Sequence, residues 1–386
     1  MKILHPFQTT LETIRAHHWR YYADLYIGCH FDCLYCLYRG NTSYSTNVTA
    51  KANAPELILA ELKTLPKGIL DIGAVSDVYQ PIEGRCKYMR RLLKGLLQMK
   101  QPTFIGTKST LVTRDIDLLK KMAIEGLIEV SFTVISLNAA VTELLEPNAP
   151  SPCERLDAAK TLSNHGIPVS FHLAPVIPGM LAESELRYLI HKLKDTGGKH
   201  IFSCILGGRK TYWDRLVVTL SSLLPDNFHD WDVFKSVYLS KEEFDDRRRA
   251  QSANYAYLTD IMESIRKCCE QVDIEFICEN IPAFTNIDLV DGIYRWKLPT
   301  IYDMTKYISR SAEPVGFDQF YLDYWCAFSP PNDLYEFVSH LWETQVLFTN
   351  TWLSASIHKG SVHYSPKDNL SVNWGGVMTV TKKNSF

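Results

Sequence analysis

Six apolar runs of strand length recur between Asp24 and Leu206, and each but the last is followed by a longer stretch of helical character. The runs are Asp24–Gly28, Gly68–Ala74, Pro102–Gly106, Leu127–Leu137, Ile167–Val176 and His200–Leu206. Between them, spacing and end signals predict helices over Pro55–Leu65, Lys87–Met99, Thr113–Ile124, Pro152–His165 and Glu183–Lys194. Gly166 supplies the C-terminal stop of the fourth. Parallel strands need crossovers of about this length, so the alternation predicts an α/β fold with a parallel sheet. The strand runs are nearly continuous in apolar residues, the pattern of strands buried on both faces. A complete eight-unit barrel needs about 250 residues. A partial (β/α)6 TIM-like barrel therefore fits the interval better.

The 386 residues leave room for more than this barrel. We expect an N-terminal arm over 1–20, the barrel over 21–210, and a C-terminal α+β extension over 211–386 that serves the substrate or an auxiliary group. Hydrophobic residues make up 46% of the chain, enough for a sizeable core. A formal net charge of −2 gives nucleic acid no global attraction. The start lacks a signal-peptide run, and no stretch approaches the roughly 18 apolar residues of a membrane span. A cytoplasmic protein with no membrane partner is expected, and its ten cysteines are then not a disulfide framework.

Three of those cysteines crowd into eight residues, Cys29-His30-Phe31-Asp32-Cys33-Leu34-Tyr35-Cys36, just after the first expected strand. Thiolates are soft ligands suited to iron–sulfur clusters. Three on one loop can hold three irons of a 4Fe–4S cube and leave the fourth iron open. Zinc is the competing metal, but it wants a closed set of four ligands, and His30 is poorly placed as the fourth. The loop lies at the strand end where α/β folds put their chemistry.

Five short blocks in register carry a resemblance over residues 22–195. They are the cysteine loop; Ser76-Asp77-Val78-Tyr79-Gln80-Pro81-Ile82-Glu83; Gly106-Thr107-Lys108-Ser109; Ser136-Leu137-Asn138 with Glu146-Pro147, Ala149-Pro150-Ser151-Pro152 and Arg155-Leu156; and Ala174-Pro175-Val176-Ile177-Pro178-Gly179. Together they resemble radical S-adenosylmethionine (SAM) proteins of the spore photoproduct lyase type. The resemblance implies a cluster at Cys29, Cys33 and Cys36 whose open iron chelates SAM, and reductive cleavage of SAM to a 5′-deoxyadenosyl radical. It implies that Lys108, Ser136 and Ser76 contact SAM, that Ala174 and Pro175 lie beside its adenine, and that Tyr35 is catalytic. An electron donor such as flavodoxin or ferredoxin is the implied partner.

The lyases also need a hydrogen-atom relay, and here the chain departs from them. The relay cysteine, two residues before the Ser-Asp pair, is replaced by Ala74. Of the two tyrosines flanking the third cysteine, Tyr35 is kept and the second is Leu37. We therefore expect hydrogen abstraction from a small organic substrate: a nucleoside, a sugar or a biosynthetic natural-product intermediate. A DNA lesion lyase and a non-catalytic cluster-bearing sensor stay open as alternatives. Tyr79 and Glu83, just past a strand end, are candidate substrate contacts.

Cys268, Cys269, Cys278 and Cys326 are candidates for a second iron–sulfur cluster, and with it a sulfur-insertion alternative. Their spacing matches no auxiliary-cluster pattern, and free cysteines are often buried small hydrophobes. Arg247-Arg248-Arg249, flanked by acids, reads as a self-paired helix face. Trp325, Trp342, Trp352 and Trp374 read mainly as core.

Overall fold

The computed structural model describes residues 4–6, 20–40, 45–63, 69–207, 216–218, 220, 230–238, 255–278, 307–308, 310–328, 332–343, 353–366, 370–372 and 378–380. Arg247–Arg249, Trp352 and Trp374 lie outside these residues.

Strands β1 (Leu4–Pro6), β2 (Arg20–Ala23), β5 (Ile69–Ile72), β6 (Thr103–Thr107), β7 (Ile128–Thr133), β8 (Val169–Val176), β9 (His200–Ile205) and β10 (Glu275–Cys278) form one sheet. They stand in that spatial order, and all neighbours from β2 to β10 are parallel. Only β1 runs antiparallel, against β2. Among the described residues β1 and β10 are the two edges, so the sheet is open, as expected of a partial barrel.

Two details differ from the sequence reading. The first strand of the sheet is Arg20–Ala23, not Asp24–Gly28: both runs reach the core, but it is Arg20–Ala23 that pairs with β5. Tyr26–Ile27 (β3) instead pairs with Thr49–Ala50 (β4) in a separate two-stranded ribbon. A seventh parallel strand, β10, is added on β9. The residues between β9 and β10 interrupt the alternation that exposes the other strands in the sequence.

Helices fill the crossovers: α1 (Ala54–Leu62), α2 (Glu83–Cys86), α3 (Tyr88–Gln98), α4 (Ile116–Ile124), α5 (Ala139–Leu145), α6 (Pro152–Asn164) and α7 (Glu183–Asp195), then α8 (Trp231–Tyr238) and α9 (Tyr255–Gln271). Each long helix buries one stripe, as at Met89, Leu92, Leu93 and Leu96 of α3. The start of α6 is fixed locally by a capping box between Ser151 and Glu154, with Pro152 in its first turn.

The two faces of the sheet are chemically unlike. One carries Ile105, Val130, Phe132, Val169, Phe171, Ile201 and Phe276, all fully buried in the apolar core. The other carries Asp71, Phe104, Glu129, Ser131, His172 and Phe202 at alternate positions, in register across neighbouring strands. There His172 Nδ1 lies 3.0 Å from Ser131 Oγ, and its ring stacks on Phe202. Both faces are thus largely buried, as the strand runs predict, but the second mixes polar with aromatic side chains: a partial barrel turns it inward.

A separate antiparallel sheet, β11 (Val315–Gly316), β13 (Ser361–Pro366) and β12 (Leu353–His358), is joined by α10 (Phe317–Asp323) and α11 (Asn332–Glu343). Trp325 and Trp342 are buried, the latter against Phe317, Phe320 and Tyr364, which is core packing. No described helix is long and apolar enough to cross a membrane.

Candidate active site

The cysteine loop leaves β3 at Gly28, and neighbouring segments hold it mostly by its backbone. The Cys29 N–H donates to Ser45 O (3.0 Å) and the Leu34 N–H to Leu145 O (2.8 Å). Gly28 O accepts from Ser76 Oγ (2.5 Å) and Gln80 Nε2 (3.3 Å), and the His30 N–H donates to Gln80 Oε1 (2.8 Å). Arg39 closes the loop from below through Cys33 O (2.9 Å), Asp32 O (2.7 Å) and the Asp32 carboxylate. The segment after β5 therefore positions the first cysteine, and the end of α5 positions the middle of the loop.

Cys33 is buried, whereas Cys29 and Cys36 are half-buried. Burial pushes the Cys33 thiol up to about 12, and the strongest opposing influence is the Lys108 ammonium. Burial also raises Cys29, with the Asp77 charge adding to it. Three thiols on one anchored loop, two of them reachable and a cation at hand to favour thiolate, are a donor set that fits a 4Fe–4S cluster. No three His, Cys, Asp or Glu side chains among the described residues converge on a single ion. Cube ligands need not, since each binds its own iron.

Lys108 follows β6. Its N–H donates to Asp77 Oδ2 (2.7 Å), and its Nζ stands 5.6 Å from the centre of the Tyr35 ring and 3.9 Å from Glu146 Oε1. Burial alone would lower the ammonium, but the Cys33 and Glu146 charges outweigh it and hold it above its ordinary value. The Tyr35 hydroxyl donates to Glu146 Oε1, and Arg155 Nη2 lies 2.5 Å from Glu146 Oε2. Tyr35 is driven well above the usual phenol range by burial and then by the Glu146 charge.

The structure thus gathers Cys29, Cys33, Cys36, Tyr35, Ser76 and Lys108 into one neighbourhood. Ser136 is buried after β7, accepts from the Asn138 N–H (3.0 Å), and lines a cavity of about 300 Å³ with Leu137, Asn138, Leu181 and Tyr188. Ala174 and Pro175 are half-buried at the end of β8. Tyr79 and Glu83 are fully buried. Tyr79 donates to Asp115 Oδ2 (3.2 Å), while Glu83 accepts from Tyr26, from Arg114 and from two backbone N–H groups. Leu37 and Ala74, at the two positions where a lyase relay would stand, are exposed.

Cys268, Cys269 and Cys278 lie elsewhere, in the apolar core where α9 packs on β10. The Cys326 thiol sits 2.9 Å from Leu322 O, one turn back along the chain. The residues that sequence reasoning passed over are Asp77, Gln80, Glu146 and Arg155. All four stand inside the quoted blocks, but no local signal marks them, because their burial arises only when the segments meet.

Residues 25–193 match the radical SAM superfamily. The chain is 34% identical over 181 residues to an uncharacterised protein of Methanocaldococcus jannaschii, an alignment covering 45% of this chain and 66% of that one. It is 26% identical over 208 residues to an uncharacterised Mycobacterium tuberculosis protein, covering 50% and 61% respectively. The chain thus spans under two-thirds of these relatives' own length. A Pseudomonas phage M6 protein named radical SAM Nalpha-GlyT isomerase is 24% identical over 183 residues, 45% of this chain and 36% of that protein. In fold, a spore photoproduct lyase variant aligns with TM-score 0.54 and 17% identity over 67% of this chain and 76% of its own. Residues 25–193 thus carry the radical SAM match, and the chain shares its fold with spore photoproduct lyase.

Proposed function

We propose that Cys29, Cys33 and Cys36 hold a single 4Fe–4S cluster and that the enzyme uses SAM to abstract hydrogen from a small polar metabolite bound against the inner face of the sheet. A 4Fe–4S cluster held there would, with SAM, supply the chemistry of a 5′-deoxyadenosyl radical. The observation that carries the reading is the three-thiol loop tied to Ser45, Ser76, Gln80 and Leu145, with the Lys108 cation beside it.

Each side chain has a stated task in this reading. Gln80 and Ser76 hold the loop backbone, so the thiols keep their spacing whether or not metal is present. Lys108 offers a positive charge to the SAM carboxylate. Ser136, Ala174 and Pro175 line the remaining rim for the nucleoside part of SAM. Tyr35, hydrogen-bonded to a carboxylate, acts by packing beside the bound nucleotide. Below them the half-buried Thr133, His172 and Cys204 present hydroxyl, imidazole and thiol groups, which supports a polar substrate such as a nucleoside or sugar. Ala74 and Leu37 leave the lyase relay incomplete, which favours a metabolite over a DNA lesion. The phage relative named an isomerase supports rearrangement as one outcome of the abstraction. Flavodoxin or ferredoxin would supply the electron.

The test is an anaerobic count of iron and sulfide on the native protein and on the Cys29/Cys33/Cys36→Ala variant, followed by SAM cleavage under strong reductant. Four irons falling to none, with 5′-deoxyadenosine formed only by the native protein, is the expected result. About eight falling to about four would instead favour a second cluster and sulfur insertion. Zinc in place of iron would refute the reading. Tight, salt-dependent duplex binding would move the substrate from metabolite to DNA.

A further inference from the structure

We infer that Glu146 and Arg155 are positioning residues that set the charge felt by the cluster and by SAM, by gripping Tyr35 and Lys108 while keeping their summed charge with Lys108 positive. The inference rests on the cluster standing at Cys29, Cys33 and Cys36.

Glu146 is where four segments meet. From the cysteine loop it takes the Tyr35 hydroxyl, from the segment after β6 the Lys108 ammonium, and from α6 the Arg155 guanidinium. The residue before it accepts the Leu34 N–H, so the same turn grips the loop by backbone as well. Arg155 is itself pinned, with Nε on Pro150 O (2.7 Å) and Nη1 on Thr133 O (2.9 Å). The side chains of both residues are essentially without solvent contact, 0% and 1% exposed.

A buried ion pair is a weak device for stability, because desolvation consumes most of the attraction. Its electrostatic consequence is larger. Were Glu146 alone with Lys108, the carboxylate would cancel the ammonium. Arg155 takes up that negative charge, and the trio of Lys108, Arg155 and Glu146 sums to +1. A cluster on three thiolates becomes more negative on reduction, and the SAM carboxylate is negative as well. Both are favoured by this positive sum beside Cys33; the buried Asp77 carboxylate adds a negative contribution that none of the variants below alters.

Charge bookkeeping predicts signs that packing does not. Arg155→Met lowers the local sum to 0 and makes the cluster midpoint potential more negative. Glu146→Gln raises the sum to +2 and makes the potential more positive, while still accepting from Tyr35. The double variant returns to +1 and to the native potential. Arg155→Lys keeps the charge without the fork and leaves the potential near native. The dissociation constant for SAM rises by about tenfold in Arg155→Met and recovers in the double variant.

The experiment is a spectroelectrochemical titration of the reconstituted full chain and these four variants, after an iron count on each, with SAM binding measured by equilibrium dialysis. Opposite shifts in the two single variants and recovery in the double support the inference. Same-sign shifts, or none, in variants that hold four irons overturn it. Should Arg155→Met fail to retain iron, the sign of the Glu146→Gln shift decides alone: positive supports, zero or negative overturns. A native protein without iron would instead refute the cluster assignment beneath it.

Discussion

Gly28 shows how a single residue shapes the site. Its φ of +84° lies in the left-handed region, and a Cβ built there would stand 2.3 Å from the Ser45 carbonyl oxygen. That carbonyl is the acceptor for the Cys29 N–H, so it is not free to retreat. The strain of a side chain, of order 1–3 kcal/mol, would fall on the first cysteine. Gly28→Ala is expected to reduce iron per chain by at least half while the melting temperature drops only a few degrees, checked by iron assay and thermal denaturation. An unchanged iron content would show that the loop tolerates another path. The same local reasoning explains why Tyr79 and Glu83, expected to face the substrate, are fully buried. A tyrosine and a glutamate just past a strand end can turn either way, and Arg114, Tyr26 and Asp115 draw them inward.

Among elements, the pairing of α3 with α4 carries a pH signature. Arg90 holds Asp117, in the first turn of α4, through bonds of 2.8 Å from Nη1 and Nη2. The hydrogen bond from Arg90 lowers the Asp117 carboxyl to about 2. A depressed carboxyl stabilises the fold above its unfolded value, near 3.9, and loses that contribution as pH falls through its folded value. Asp117 is 55% exposed, so solvent screening keeps the effect below about 1 kcal/mol. Asp117→Asn should be slightly less stable than the native protein at pH 7, with the gap closing between pH 4 and 2, as followed by urea denaturation. Helices such as α6 were legible because their signals are local: Ser151, Pro152 and Glu154 at one end and Gly166 just past the other. β2 lies a few residues before the run expected from sequence because Tyr21–Ala23 and Asp24–Ile27 read alike, both reach the core, and only pairing with β5 or with β4 tells them apart.

For the whole molecule, the sheet separates an apolar packing face from a polar one. Phe171 is fully buried among Val130, Ile201 and the helix side chains, on the apolar face. Phe171→Ala leaves a cavity there and is expected to cost about 3–5 kcal/mol, read as a lower denaturation midpoint. Its neighbour His172 points to the polar face, with Ser131 and Phe202. His172→Phe is therefore expected to cost far less, about 1 kcal/mol or under, since it removes one hydrogen bond and keeps the stacking area. Equal losses from the two substitutions would mean that both faces serve the core.

The sequence by itself determined the α/β alternation, the three-cysteine loop and its place beside a strand end, because each is written in neighbouring residues and their spacing. Only the tertiary structure decided that a seventh strand joins the sheet from beyond residue 270, that one face of the sheet is polar, and that Glu146 and Arg155 meet Tyr35 and Lys108. Those features depend on contacts between segments tens to more than a hundred residues apart. Charge and burial become informative only once folding brings such segments together, since a buried carboxylate is defined by what surrounds it.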